Sequence, residues 1–360
     1  MSGGRHRLQS RLLRRAVDIG WRWGAALGLL LVVGCGDDTV RPGRDGAVPD
    51  AAVDAARIDS GRVPDAALPD AALLDAALAL DAGADAGADA SSADAGVVLV
   101  GARVRVLASN LTTGNFQAYE LPGIRILDGL DPDVALMQEM NYGGSSASEL
   151  RSFVDLAFGP SFSYFREAGV QIPNGVVSRF PILAAGSWTD PQTSNRGFAW
   201  ARIDIPGPKD LWAVSVHLLT SSEQNRNLEA TALVALVQAM VPAADYLVIG
   251  GDFNTDVRDE PCITTLGAVV STAGPDPVDM AGNPNSNAGR TKPYDRVLAD
   301  ADLVPLQAPV VVGSSTHASG LVLDTRVYTP LSDVAPALAS DSAAPSMQHM
   351  AVVKDFIVPE

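Results

Sequence analysis

Seven polar side chains of catalytic type stand where apolar, strand-like runs end. Asn110 follows the run Val104 to Ala108, Glu139 follows Val134 to Gln138, and His217 lies near the end of Ala213 to Leu218. Asp252 and Asn254 sit in Gly250-Gly251-Asp252-Phe253-Asn254, Asp295 in Pro293-Tyr294-Asp295-Arg296, and His349 just before the run Met350 to Phe356. Strand ends hand such side chains to loops, which can present them to one shared cleft. Imidazoles and carboxylates suit proton transfer, and oxygen and nitrogen donors suit a hard cation. Taken singly, each has a blander reading: a strand histidine is commonly structural, and Gly-Asp-x-Asn is a common turn. Their order along one chain is what carries weight.

The elements needed to position them are legible from periodicity. Val104 to Ala108 reads as a strand, Ile124 to Leu130 as the end of a short helix, and Val134 to Met137 as a buried strand after the turn Asp131-Pro132-Asp133. Val214, Val216 and Leu218 alternate with Ser215 and His217, a strand with one buried face. Thr220-Ser221-Ser222-Glu223 reads as a capping box opening a helix with the apolar stripe Leu228, Leu233, Leu236, Val237 and Met240. Tyr246 to Ile249 and Met350 to Phe356 complete the strands. Helices and strands interleave, so the class is α/β or α+β with sheet cores.

Composition bounds the rest. The chain has 360 residues, 47% hydrophobic and 19% charged, enough for one or two domains with real cores. Its two cysteines, Cys35 and Cys262, exclude a disulfide framework or a structural zinc cluster. A net charge of −16 speaks against bulk electrostatic adhesion to nucleic acid, but not against a nuclease working through a few local contacts and a metal ion.

Residues 1–35 carry six Arg against one Asp and end in an uncharged apolar run, Trp23 to Val33, too short to span a bilayer. This is the order of a signal peptide. It closes on Leu31-Val32-Val33-Gly34-Cys35, which resembles the bacterial lipobox and predicts lipidation of Cys35 and export to a bacterial membrane, facing periplasm or exterior. Residues 36–98 carry thirteen Asp in Asp-Ala-Ala and Ala-Asp-Ala repeats and no aromatic residue. Such a segment cannot bury enough apolar surface to order itself and is expected to be a disordered tether. Residues 99–360 are the expected folded domain. With Cys35 lipidated, Cys262 is expected to be a free, buried thiol.

The ordered motifs of that domain resemble the endonuclease/exonuclease/phosphatase superfamily, the metal-dependent phosphodiesterases that include deoxyribonuclease I, AP endonucleases, neutral sphingomyelinases and inositol-polyphosphate phosphatases. The family's "DPDVVALQE" is similar to Asp131-Pro132-Asp133-Val134-Ala135-Leu136-Met137-Gln138-Glu139, and "GxAILSRxPI" to Gly175-Val176-Val177-Ser178-Arg179-Phe180-Pro181-Ile182. Its opening strand resembles Val106 to Asn110, and its "VxxTHL" resembles Ala213 to Leu218. "GDFN" is present unchanged at Gly251 to Asn254. Tyr294-Asp295-Arg296-Val297 resembles deoxyribonuclease I in particular. The terminal "SDHxPV" resembles Ser346-Met347-Gln348-His349-Met350-Ala351-Val352, with Gln348 where the family has aspartate.

The resemblance implies a four-layered sandwich of two mixed β-sheets flanked by helices. It also implies a metal-dependent phosphodiester hydrolase using Mg²⁺, with Mn²⁺ or Ca²⁺ as alternatives. Asn110 and Glu139 would hold the metal, and Gln348 would offer only a neutral oxygen there. His217, Asp252, Asn254, Asp295 and His349 would be catalytic, with His349 paired to Asp295. Glu167 is either a partner of His217 or a solvated loop residue, and His317 reads as a surface loop residue.

Three functions follow. The leading one is an exported, monomeric nuclease on DNA or RNA, with Arg179, Arg196, Arg290 and Lys292 available to phosphates. The second is a phospholipid or sphingomyelin phosphodiesterase, which needs an apolar aromatic element at the lipid interface. Trp188, Phe198 and Trp200 could serve there or in the core. The third is a non-catalytic binding lipoprotein.

Overall fold

A computed structural model describes residues 101–360. The expected signal peptide, the expected lipidation at Cys35 and the expected disordered Asp/Ala-rich tether fall outside the described residues.

Two mixed sheets face each other. In the first, β1 (Ala102–Ser109), β2 (Val134–Met137), β3 (Ser163–Arg166), β4 (Gly175–Ser178), β10 (Gln307–Ala308) and β14 (Ala351–Val358) run in the order β10-β14-β1-β2-β4-β3, with β13 (Leu321–Leu323) also pairing β14. The second has β5 (Ile182–Thr189), β6 (Gly197–Ile203), β7 (Leu211–His217), β8 (Tyr246–Asp252) and β9 (Asp295–Ala299) in sequence order. The pairs β1/β2 and β7/β8 are parallel; the others are antiparallel. A hairpin of β11 (Val310–Val312) and β12 (Ser315–His317) lies apart from both sheets.

Side-chain alternation along each strand produces the layers. On β2, Val134 and Leu136 enter the core between the sheets, whereas Ala135 and Met137 face the helices α1 (Glu120–Leu130) and α2 (Ala147–Ala157). On β7, Leu211 and Ala213 join the inter-sheet core. Trp212, Val214 and Val216 pack instead with Leu233 and Val237 of α3 (Glu223–Met240) and with Cys262, Ile263 and Leu266 of α4 (Pro261–Leu266). Three apolar clusters thus separate four layers, helices, sheet, sheet and helices, which is the deoxyribonuclease I-like α/β sandwich.

Three local expectations change in this setting. All seven residues of β7 are buried, because the first sheet covers the face that alternation assigned to solvent. Buried Ser215 is satisfied by donating to the Met137 carbonyl (2.7 Å) and accepting from Gln138 Nε2 (2.9 Å). Helix α3 is capped by Ser222, which accepts from Asn225 N (3.1 Å), and not by Thr220. The Leu219 and Thr220 carbonyls are instead engaged by the Arg226 guanidinium, so the helix begins two residues later.

The buried face of α3 also differs from the apolar stripe. Arg226 and Glu229 are buried with Ala230, Leu233 and Val237, while Leu228 and Met240 are exposed. Arg226 forms a two-pronged pair with Glu260 (2.7 and 2.8 Å), which satisfies the charge that burial would otherwise penalise. Cys262 is a free buried thiol, as expected, and burial pushes it up to about 11.

Candidate active site

Strand register gathers the seven side chains. Parallel pairing of Ser109 with Met137 sets Asn110 and Glu139, the residues just beyond, at one end of the first sheet. β14 lies antiparallel beside β1, Ala108 opposite Val352, and brings His349 to the same end. In the second sheet His217 pairs with Asp252 and Asp252 with Asp295. The two sheet ends meet there.

Asn110 is the hub. Its Nδ2 lies 3.3 Å from Glu139 Oε1, 3.3 Å from Asp252 Oδ2 and 3.4 Å from His349 Nε2. Two amide hydrogens facing three neighbours leave one of them free for another partner. His349 Nδ1 is 3.1 Å from Asp295 Oδ2, and Asp252 Oδ2 lies between the two imidazoles, 3.3 Å from His217 Nε2 and 3.5 Å from His349 Nε2. Donor atoms of Asp252, Asp295 and His349 all lie within 4.8 Å of one another. Asn110, Tyr119, Glu139, Ser346, Gln348 and His349 line a small, polar pocket above them.

The electrostatics separate the histidines. Burial lowers His217 to about 4, in spite of Asp252, with Arg196 and His349 acting in the same direction as burial. Burial would lower His349 too, but the Asp295 and Asp252 carboxylates and the Asp295 hydrogen bond outweigh it and raise the imidazole to about 9. Asp252 is itself raised by burial.

The scaffold behind these groups is strained and tightly bonded. Glu139 and Asn254 adopt φ of +47° and +51°, the left-handed region that costs an ordinary side chain energy. Glu139 is held by Thr113, which donates to its carboxylate, and by Thr112, whose one hydroxyl proton goes chiefly to the Asn141 carbonyl (2.6 Å) with the Glu139 carbonyl as the more distant neighbour (3.2 Å). Asn254 spends its side-chain amide on the Leu218 carbonyl (2.9 Å) and its backbone N–H on Asp252 Oδ1 (3.0 Å). It therefore positions Asp252 and the His217 strand end and does not line the pocket. Gln348 is exposed at the pocket mouth.

Other expectations are corrected. Glu167 is buried and neither partners His217 nor meets solvent; it accepts from Asn174 N (2.7 Å) and from the Ser187 hydroxyl. His317 belongs to β12 and packs on Tyr328, 5.8 Å between ring centroids. The cations expected to be available to phosphates all have acidic or carbonyl partners, Arg196 and Arg290 in the interior and Arg179 and Lys292 nearer the surface. Arg196 is buried and donates to the His217 and Leu218 carbonyls, Arg179 pairs with Asp131 and Asp133, and Arg290 pairs with Asp279 and Asp324. Lys292 pairs with Asp256. Trp188, Trp200 and Trp212 form a stacked row (5.7 and 5.1 Å) over the α3 core, so Trp188, Phe198 and Trp200 belong to packing and not to a lipid-facing element.

Sequence reasoning missed Tyr119 and Thr113, which follow no spacing rule and reach the site only through the fold of the loop after β1. Ser346 was read as part of the terminal motif but given no role, and the turn before His349 brings it to the pocket.

The Endonuclease/Exonuclease/phosphatase family profile matches residues 119–333, and the chain belongs to that family. The matched span holds Glu139, His217, Asp252, Asn254 and Asp295; Asn110 and His349 lie outside it and are delivered by the neighbouring strands β1 and β14. No curated protein matches the chain in sequence. Among solved structures, a functionally unknown conserved protein from Enterococcus faecalis V583 superposes with a TM-score of 0.51 at 9% identity, covering 71% of this chain and 100% of that one. An endonuclease/exonuclease/phosphatase from Bacteroides vulgatus gives 0.50 at 15% identity, covering 71% and 100%. These two share the fold. Truncated Caenorhabditis elegans TDP2 gives 0.49 at 16% identity, covering 71% and 98%. Family membership, with the cluster of carboxylates and imidazoles, supports a hydrolase of the phosphodiesterase and nuclease type.

Proposed function

We propose that this chain is an exported, lipid-anchored, divalent-metal-dependent nuclease that hydrolyses phosphodiester bonds of DNA or RNA. The observation that carries the reading is the Asn110 amide, within 3.4 Å of Glu139, Asp252 and His349 at once, which draws metal-type and proton-transfer-type groups into one pocket.

The donor set fits a divalent cation. Glu139, Asp252 and Asp295 are hard oxygen donors, and buried Asp295 Oδ1 has no hydrogen-bond partner. Glu139 and Asn110 would hold Mg²⁺, with Gln348 at the mouth as a neutral oxygen. Mn²⁺ or Ca²⁺ would be accommodated by the same oxygens. A bound cation would supply stabilisation of the charge that grows on the phosphoryl oxygens.

The protein's own groups do the remainder. Asp295 fixes the His349 tautomer by holding Nδ1, which leaves Nε2 facing the pocket. Asp252, flanked by both imidazoles and capped by Asn254 N–H, orients the attacking water or its proton acceptor. Arg196 keeps the His217 carbonyl, and with it the strand end, in place.

The aromatic residues weighed for a lipid interface lie in the core, which favours nuclease over lipid phosphodiesterase. The assembled cluster favours a catalyst over a mere binder. The deciding experiment is incubation of the purified chain with plasmid DNA, RNA and sphingomyelin, each with Mg²⁺ and with a chelator. Cleavage of sphingomyelin alone, or cleavage that resists the chelator, overturns the reading. Anchoring predicts a mature N-terminus at an acylated Cys35, read by mass spectrometry; a downstream N-terminus refutes it.

A further inference from the structure

The loop between β1 and α1 already supplies the site three times: Asn110 and Tyr119 line the pocket, and Thr113 bonds Glu139. Midway along it stands Phe116, 78% exposed, the most exposed large apolar side chain among the described residues. Three residues reach about 10 Å at most, so the Phe116 backbone lies within that distance of Tyr119, which lines the pocket.

Its backbone is strained. Gly114, Asn115 and Phe116 adopt φ of +74°, +57° and +56° in succession. Glycine and asparagine tolerate this region; a bulky phenylalanine does so only when its surroundings force it. Those surroundings are visible. Asn115 N donates to the Gly143 carbonyl (2.8 Å), and Thr112 donates to the Asn141 carbonyl (2.6 Å). The buried Glu120 carboxylate accepts from the N–H groups of both Phe116 and Gly143. The ring rests beside Gly143, where an added Cβ would stand 3.4 Å from Phe116 Cε1. The loop is thereby pinned to the segment that begins with Glu139. A single exposed aromatic needs no explanation by itself. An aromatic held in a strained conformation that leaves it largely in solvent, on a loop that supplies the reaction pocket, returns little to stability and is the kind of outlier found at ligand contacts.

The ligand follows from charge. Between Asn110 and Glu120 there is no Lys or Arg; of the cations weighed as phosphate contacts, Arg196 and Arg290 are engaged internally, while Arg179 and Lys292 are partly exposed but each paired with aspartate. With no cation on this loop, contact between the loop and a polyanion has to use groups that need no charge. Stacking of a base on an aromatic face is such a contact, and it is open only to bases outside a duplex. A lone ring without basic neighbours lacks what an interfacial membrane element requires. We propose that Phe116 is a substrate-contacting residue that stacks on an unpaired base beside the scissile phosphate, so that single-stranded nucleic acid is the preferred substrate. This assignment rests on the nuclease reading above.

The test compares wild type, Phe116→Ala and Phe116→Trp, as full chains, on two oligomers of equal length: a single-stranded oligonucleotide, and one whose nucleotides are replaced by abasic tetrahydrofuran units. Base stacking corresponds to roughly a 5- to 150-fold rise in KM for Phe116→Ala on the first oligomer. The loss falls on KM and not on kcat, Trp restores it, and the abasic oligomer is cleaved alike by all three proteins. The thermal midpoint of Phe116→Ala is expected to hold or rise. Equal losses on both oligomers, no loss on either, a large drop in thermal midpoint, or a loss seen only on sphingomyelin vesicles would each overturn the assignment. A wild-type protein that cleaves plasmid DNA but neither oligomer overturns this assignment alone; one that cleaves none of plasmid DNA, RNA and the oligomers refutes the nuclease reading itself, before any substitution is made.

Discussion

Replacing Asp295 by Asn tests whether that carboxylate works through His349. The change keeps the shape of a buried side chain and removes its charge. Asp295 Oδ2 lies 3.1 Å from His349 Nδ1, so what is lost is a buried, charge-assisted hydrogen bond. The smallest expected cost is that of such a bond, ~1.5–3 kcal/mol, or roughly 10- to 150-fold in rate if it is fully felt in the transition state. The ceiling is the attraction of unit charges at that separation in an effective dielectric of about 20, ~5 kcal/mol, or roughly 10⁴-fold. Initial rates on plasmid DNA, with thermal melts to confirm the fold, place the loss within that range. In the apo protein, NMR titration should show His349 falling below about 9, because Asp295 is the largest of the influences that raise it. The decisive comparison uses His349→Ala. Groups acting as a unit are strongly non-additive, so Asp295→Asn should cost less than about threefold in that background. Multiplying losses would refute the coupling. If the loss in that background moved with the metal concentration needed for half activity, Asp295 would be a cation ligand instead, a role its unpartnered Oδ1 allows.

Three further predictions concern single positions. Glu139→Gln removes a negative oxygen from the pocket and should lower activity by several orders of magnitude while the thermal midpoint changes by only a few degrees; survival of activity would exclude Glu139 as the principal metal ligand. Gln348→Asp restores a carboxylate at the mouth and should lower the Mg²⁺ concentration needed for half activity; an unchanged requirement would show that this side chain does not reach the cation. Glu229 is raised from 4.5 to about 9 by burial and by its hydrogen bond with Asp190, and it accepts from Leu219 N. The folded state then binds the extra proton, so stability is greatest below about 4.5 and declines as pH rises toward about 9. Glu229→Gln, which mimics the protonated acid, should flatten that decline in thermal midpoint between pH 5 and 8; an unaltered slope would exclude this carboxyl as its source.

What the chain itself determined was local. Apolar runs bounded by turns placed β1, β2, β7, β8 and β14, because a buried strand writes its burial into consecutive residues. Asn110, Glu139, Asp252 and Asn254 were legible because each follows such a run within a few positions, and peptide geometry keeps it at that strand's end. Resemblance of the ordered motifs supplied the four layers.

Only the tertiary structure decided what those residues face. Asn110 meets His349 across 239 positions, and Arg105 on the helix side of β1 meets Asp355 across 250. No periodicity encodes which strand lies beside which at that separation. Partner choice therefore escaped sequence reading. Arg179, Arg196 and Arg290 read as free cations until Asp133, the His217 carbonyl and Asp279 stood beside them, and Glu167 read as a loop carboxylate until Asn174 and Ser187 closed around it. Burial of the polar face of α3 escaped for the same reason, since Arg226 is tolerable inside only because Glu260 waits there. Hydrophobic pattern is a property of neighbours in the chain. The pairing of buried charges is a property of neighbours in space, and it exists only once the two sheets have closed on each other.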